Sequence, residues 1–384
     1  MYIIKEKNLK DFWFLFVFIS FFEPNYFVYI PILHIVCQAI TIFAFIYSTI
    51  ICMYNHLRLN KITLYTIIYG IVILITSVIH KNLELSTVRI VISIIGLALY
   101  FYIYGFERVR KPLLLSFFCL TTLNLGLNFF KRSSIEVFAG DSGWFLTGSN
   151  ALIIYILPAV CLAIVSIEKG KQKFLSIITI IVSLYTAVAS DTATTVFILF
   201  TLISIWLLQR AINMSLIKIR GVVAIIIFSF VLVVILQVQN NIYILRFIVE
   251  DILKRDMSFT SRTFIWKESL HQILQSPFIG HGSSYSFHVM VSHVGFWADH
   301  AHNHYLQQLI QGGIIQMVLF ILIIIEMVKR MRRLPSKIVA WGTVSVLSTG
   351  VMLLFESYTN AMIYSVVYLI YSFCDEYLQT VNAP

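Results

Sequence analysis

The sequence predicts an all-α fold: a polytopic integral membrane protein with about twelve transmembrane helices and one long extracytoplasmic loop that contains amphipathic helices. Three observations carry this expectation. Apolar residues make up 59% of the 384 positions and charged residues 12%, against about 45–50% and about 25% in a soluble globular chain. Too little polar surface remains to coat a body in water, so lipid is the solvent. The apolar residues come in continuous runs near the ~20 residues that cross a ~30 Å hydrocarbon core as a helix, which satisfies its own backbone there. Finally, the net charge of +10 gathers in alternate connections between the runs, the pattern expected when Lys and Arg are retained on the cytoplasmic side. The same composition excludes a disordered chain, a nucleic-acid module and a disulfide scaffold.

In chain order, the runs 12–30, 33–54, 62–79, 87–105, 112–130, 150–167, 174–190, 194–209 and 221–238 build an N-terminal bundle over residues 1–238. Residues 239–303 form the large extracytoplasmic loop, and the runs 304–328, 338–355 and 361–378 complete the membrane part over 304–384. Within the first run, Glu23 and Pro24 interrupt the pattern and are placed to end a short helix, with Tyr26 to Ile32 as an outer turn. No small-residue cleavage site comes after Phe12 to Phe22, so the run is taken as a retained span and not a signal peptide. Cys37, Cys52, Cys119, Cys161 and Cys374 lie in apolar runs, not in spaced pairs, and serve as small hydrophobes.

With the amino terminus inside, Lys5, Lys7, Lys10, Arg58, Lys61, Arg108, Arg110, Lys111, Lys169, Lys171, Lys173, Arg210, Lys218, Arg220 and the cluster from Lys329 to Lys337 fall on inner connections. Both termini are therefore expected in the cytoplasm, and the Lys329 to Lys337 turn suits anionic inner-leaflet lipid. Arg89 is different. It sits near the outer end of the fourth span, where a charge either has a functional partner or snorkels to headgroups.

The connection from about Gln239 to Asn303 is far longer than the others, and loops of that length are usually functional. Ile242, Leu245, Val249, Ile252 and Leu253 form one stripe at helical spacing, and Trp266, Leu270, Ile273 and Leu274 another. Two amphipathic helices against the outer membrane face are expected.

Of the ten histidines, His271, His281, His288, His293, His300, His302 and His304 crowd towards the end of this loop. Imidazole suits proton transfer or metal binding near neutral pH. The stretch Asp299 to His304 is dense in possible ligands, but no zinc spacing such as HExxH is present, and no metal is expected. Exposed loop histidines without a role are the plain alternative, from which His302 stands out through its polar neighbours downstream. Asn303, Gln307 and Gln311 recur at i, i+4 and i+8, a polar stripe at the mouth of a transmembrane helix. Such a stripe faces a cavity or joins helices by hydrogen bonds.

Upstream, Arg262 and Trp266 precede Pro277-Phe278-Ile279-Gly280-His281-Gly282. Arg262 offers a planar, permanently charged fork suited to phosphate oxygens, or else a solvated helix face; Gly280 and Gly282 permit a tight turn. Trp144, Tyr285, Phe287, Phe296, Trp297 and Tyr305 lie near the same mouth, where aromatic rings pack on sugar faces or anchor the interface.

The order Arg262, Trp266, Pro277 to Gly282, then Ala301-His302-Asn303-His304-Tyr305-Leu306-Gln307 and Gly313 resembles the motif region of the O-antigen ligase and O-antigen polymerase superfamily. Gly143 to Asn150 with Ala151 is similar to the family's short motif opening a span, and Ser190 to Thr194 to its small-polar motif opening another. The motifs cover about a quarter of the chain, and the topology extends the likeness to the whole. Where relatives often carry a further arginine, this chain has Asp141 and Thr192, with Lys131, Arg132 or Arg89 as substitutes.

The resemblance implies a membrane glycosyltransferase that uses a glycan on an undecaprenyl diphosphate carrier at the outer face of the bacterial cytoplasmic membrane. Donor and acceptor are both lipid-linked oligosaccharides, and the product is a capsular, O-antigen or exopolysaccharide chain. On that basis His302 takes the proton of the attacking hydroxyl and Arg262 stabilises the departing diphosphate, with Arg89 as the second cation. Asn303 orients His302 or the sugar, and Asn150, Gln307, Gly280 and Gly282 complete substrate binding. No cofactor is implied and catalysis is expected to be metal-independent, with a flippase and a chain-length regulator as further partners. A polysaccharide ligase is the alternative within the family. A lipid-linked oligosaccharide transporter is the alternative outside it, and would place charge within its spans, which here are poor in charge.

Overall fold

The computed structural model describes residues 11–139, 144–148, 151–213, 216, 218–238, 258–285, 289–291, 296–298, 300–358 and 361–381. The first expected loop stripe, Ile242 to Leu253, and Asn150 lie outside them. The helices are α1 (Asp11–Phe21), α2 (Asn25–Val28), α3 (Pro31–Tyr54), α4 (Lys61–Ile79), α5 (Leu85–Ala139), α6 (Ile153–Glu168), α7 (Lys173–Ala189), α8 (Ala193–Ala211), α9 (Ile219–Val238), α10 (Ser258–Gln275), α11 (His304–Met331), α12 (Ala340–Phe355) and α13 (Ala361–Val381). Each apolar run of the sequence therefore has a helix. Of these, α3, α4, α5, α8 and α11 are long and apolar enough to cross a membrane, while α1, α6, α7, α9 and α12 are shorter apolar helices.

Two local features of the N-terminal part match the sequence closely. The first run breaks where Glu23 and Pro24 stand: Pro24 is extended, with ψ 142°, and α2 is a single turn beyond it. The two runs expected at 87–105 and 112–130 form one continuous helix, α5, but not a straight one. Phe21 meets Tyr100 at 5.7 Å between ring centroids and Phe22 meets Phe117 at 5.1 Å. A straight helix would hold residues 100 and 117 about 25 Å apart, so α5 folds back on itself. Gly105 supplies the reversal with φ 75°, a conformation that costs a residue with a side chain. Arg108 and Arg110, with Lys169 and Arg330, share the end of the bundle at this reversal. There Lys169 pairs with Glu107 at 3.4 Å and Arg330 with Asp375 at 3.1 Å.

At the centre of the core is α6, whose residues from Ile153 to Ile167 are all buried, as befits a helix that is apolar all round. It is flanked by α5, α7, α8, α12 and α13, and α13 is buried continuously from Ala361 to Cys374. By contrast, α3 exposes Ile32, Ile35, Phe43, Ile50 and Met53. So large an exposed apolar face needs lipid or a partner against it.

The long loop departs from the all-helical expectation. It carries α10 where the second stripe predicted it, and also a hairpin, β1 (Val289–Val291) with β2 (Phe296–Ala298), antiparallel with Met290 opposite Trp297. Strands of three residues are too short to leave a period-two pattern in sequence.

Candidate active site

The site lies at the end of the bundle away from the basic cluster, where α11 begins. Asn303 is the N-cap of α11. Its side-chain oxygen accepts from the backbone N–H of Tyr305 at 3.0 Å and of Leu306 at 3.1 Å, two of the groups that a helix start leaves unpaired. Its amide donates to the Leu354 carbonyl at 3.1 Å, tying the cap to the end of α12. Gln307 reaches back to accept from the Ala301 N–H at 2.9 Å, and the Trp266 indole donates to the Ala301 carbonyl at 2.9 Å. Held on both sides, His302 adopts a left-handed backbone with φ 46°. Such a conformation costs about 1–3 kcal/mol for a residue with a side chain and persists where its surroundings over-determine it.

This backbone turns the His302 ring towards Glu356, the residue immediately after α12. Nδ1 of His302 lies 2.6 Å from Oε1 of Glu356, and His300 Nε2 lies 3.4 Å from the same oxygen. The two imidazoles pack with ring centroids 3.9 Å apart. Both members of the close pair are half-sheltered, His302 at 25% and Glu356 at 14% side-chain exposure, so they are open to a ligand but partly screened from water. With Nδ1–H donated to the carboxylate, the His302 ring presents the lone pair of Nε2, the tautomer a general base needs.

Two imidazoles and a carboxylate within 4.8 Å of one another are also a donor set that could hold a metal ion. Ligands about 2.0 Å from a tetrahedral zinc stand roughly 3.3 Å apart. The 2.6 Å contact between His302 and Glu356 is closer than that, so the pair is arranged as a hydrogen bond.

The glycines of the Pro277 to Gly282 turn have a packing role. α11 is broken at Gly313, where φ is 63° and ψ −161°, and a broken helix at membrane depth needs other partners for its backbone. The turn supplies them. His281 N–H donates to Ile310 O and Gly282 N–H to Gln311 O, each at 2.8 Å, while Pro277 O accepts from Ile314 N–H at 2.8 Å. A Cβ on Gly280 would stand 2.5 Å from the Gln311 backbone, and one on Gly313 would stand 2.3 Å from the Phe278 carbonyl. Gly282 abuts the Asn82 side chain, whose amide donates to the His281 carbonyl at 2.7 Å. Close by, Tyr285 stacks on His281 and donates its phenol to Gln272 at 2.6 Å. Burial, and then Glu268, push that phenol above its ordinary pKa, so it stays a donor.

The polar stripe of α11 is thus engaged in hydrogen bonds: Asn303 to α12, Gln307 to the His302 turn, and Gln311 to the Ser283 carbonyl at 2.9 Å. Arg262 lies on α10 one turn before Trp266, on the same helix face; its side chain lies outside the described residues. Arg89 pairs with Glu23, which also accepts from His34 Nδ1–H at 2.9 Å. Of its neighbours on α5, Thr87, Ile90 and Ile94 line a cavity; Arg89 is turned towards Glu23 in the connection between α1 and α2.

Glu356 is the residue that sequence reasoning missed. Its signal was present: a single acid in the short connection between two apolar runs, on the same side as His302 in the expected topology. Only the fold brings the two together.

Set beside known proteins, residues 174–321 match a family model described as O-antigen ligase. This supports the O-antigen ligase and polymerase superfamily to which the motifs pointed, and the match contains Arg262, Gly280, Gly282, His302, Asn303 and Gln307. Arg89, Asn150 and Glu356 fall outside it. Among curated proteins none gives a significant match.

Proposed function

We propose, with the O-antigen ligase match over 174–321 as premise, that this protein polymerises lipid-linked oligosaccharide repeat units at the outer face of the bacterial cytoplasmic membrane. In this reading the helices make twelve spans with both termini inside, and the end bearing His302 faces outward. The single observation that carries it is the His302 to Glu356 hydrogen bond at 2.6 Å, built on a left-handed backbone at the mouth of the bundle.

The chemistry starts from that pair. A hydroxyl oxygen of the acceptor sugar attacks the anomeric carbon of the donor glycan. The bond from that carbon to the diphosphate oxygen breaks, and the electron pair leaves with the polyprenyl diphosphate. The hydroxyl proton passes to Nε2 of His302, and Glu356 stabilises the imidazolium that forms. A positioned base of this kind supplies about 10²–10⁴-fold. Arg262, one helical turn from the Trp266 that pins Ala301, is the cation assigned to the departing diphosphate, where a guanidinium gains strength in a water-poor site. Such a cation does the charge work of a divalent metal, so turnover is expected to be metal-independent.

Purified protein in liposomes with a lipid-linked repeat unit tests this reading. A ladder of longer glycans still on polyprenyl diphosphate, lost in His302→Ala, supports polymerisation. Transfer only to a separate acceptor makes the protein a ligase, and movement of the repeat unit across the bilayer without growth makes it a transporter.

A further inference from the structure

A cavity of about 280 Å³ opens where α11 begins, with His304 and Tyr358 on its lining. It is several times the ~30 Å³ share of a single water, and smaller than the ~300–1,000 Å³ of pockets that take drug-sized ligands. It reaches the surface beside Glu84 and Ser86 and extends inwards between α4, α5 and α11.

Its floor is a hydrogen-bonded chain. Tyr69 donates its phenol to Gln308 Oε1 at 2.6 Å, Gln316 Nε2 donates to the same oxygen at 2.6 Å, and Gln308 Nε2 donates to His304 Nε2 at 3.2 Å. Three atoms on the lining residues are left over. His304 Nδ1, Gln316 Oε1 and Tyr364 Oη have no partner among the described residues, although His304 is 0% exposed and Gln316 and Tyr364 1% each. A neutral imidazole that accepts at Nε2 carries its proton on Nδ1, so the three are an idle donor, an idle acceptor and a phenol. Buried polar groups left this way are costly, and native structures pair them. Hydroxyl groups, both donors and acceptors, suit such a lining. Thr87, Ser283 and Ser284 add hydroxyls on the wall, and Ile73, Ile90 and Ile94 add apolar surface.

Charge narrows the ligand further. Among the described residues, those lining the cavity include no Lys or Arg, and Glu84 at its mouth repels anions. A diphosphate or an acidic sugar has no counter-charge on these walls. His304 is two residues from His302, and Tyr358, also on the wall, is two residues from Glu356.

We propose that this cavity is a subsite for one neutral hexopyranose ring, the sugar of the acceptor that presents its hydroxyl to His302. The assignment of the ring to the acceptor rests on the glycan-transfer reading above; the binding of a neutral sugar does not. The test is saturation-transfer NMR on the full chain in nanodiscs, with a panel of methyl hexopyranosides and methyl glucuronide as ligands. The expected result is transfer to at least one neutral glycoside and none to the glucuronide. The signal should fall at least tenfold in Gln316→Leu and in Ile90→Phe, which fills the apolar wall, and persist in Lys329→Ala, an exposed residue at the other end of α11 that does not line the cavity. Thermal unfolding of each variant shows that it is folded. No transfer to any neutral glycoside, transfer that both variants retain, or a preference for the glucuronide overturns the proposal and leaves a water-filled cavity. Sugar binding without glycan growth would sink the polymerase reading and leave the subsite standing.

Discussion

Nδ1 of His302 stands 2.6 Å from Oε1 of Glu356, a residue 54 positions further along the chain. This contact fixes which ring nitrogen carries the proton, and so separates two roles that a loop histidine could have. If Glu356 orients the ring and stabilises its charged form, Glu356→Gln keeps the shape of the site but removes the negative charge. The expected outcome is a fall in kcat of about 10²–10³-fold with little change in acceptor KM, and a changed pH profile of kcat, measured as glycan growth on the carrier lipid. Unchanged kcat in a folded Glu356→Gln protein would show that the hydrogen bond has no catalytic part.

The same three side chains bear on metals. Since the guanidinium assigned to the diphosphate does the charge work of a divalent ion, chelation with EDTA is expected to leave glycan growth unchanged. Added zinc should inhibit, by taking His300, His302 and Glu356 as ligands and breaking the hydrogen bond of the pair. His300→Ala should relieve that inhibition while retaining activity. Activity that EDTA abolishes and a divalent ion restores would reverse the assignment.

Gly280 and Gly313 meet across the broken helix, and here the obstacle is backbone against backbone. Gly313→Ala places a methyl 2.3 Å from the Phe278 carbonyl at a φ of 63°, and Gly280→Ala places one 2.5 Å from Gln311. Each should destabilise the protein by more than the about 1–3 kcal/mol of backbone strain alone, read as a lower midpoint of thermal unfolding in detergent. A role confined to substrate binding would leave that midpoint in place and raise only the donor KM.

These cases show what a sequence holds. Helices came through because twenty-residue apolar runs admit only one kind of structure in lipid, and even the break at Glu23 and Pro24 was visible as an interruption in hydropathy. The turn Pro277 to Gly282 was recognisable as a motif, but its purpose was not. Gly280 answers to the backbone of Gln311, a contact made only after α11 has broken. His302 was legible through the polar residues beside it. Glu356 was not, because a lone acid between two spans has no pattern until the fold supplies its partner.

The pair of Glu23 with Arg89 decides between two uses of a charge at membrane depth. Glu23 is almost fully enclosed, with 1% of its side chain exposed, whereas Arg89 keeps 29%. Removing only the arginine leaves a buried carboxylate with His34 as its remaining partner among these side chains, and breaking such a pair costs about 3–5 kcal/mol. Arg89→Ala should therefore lower the thermal midpoint sharply. The double variant Glu23→Gln with Arg89→Met should recover most of the loss, because no charge then needs compensation. Donor KM in that recovered protein is the deciding measurement. An unchanged value makes the pair a brace between α5 and the connection after α1, in keeping with the absence of Arg89 from the cavity lining. A tenfold rise gives Arg89 a hand in holding the diphosphate.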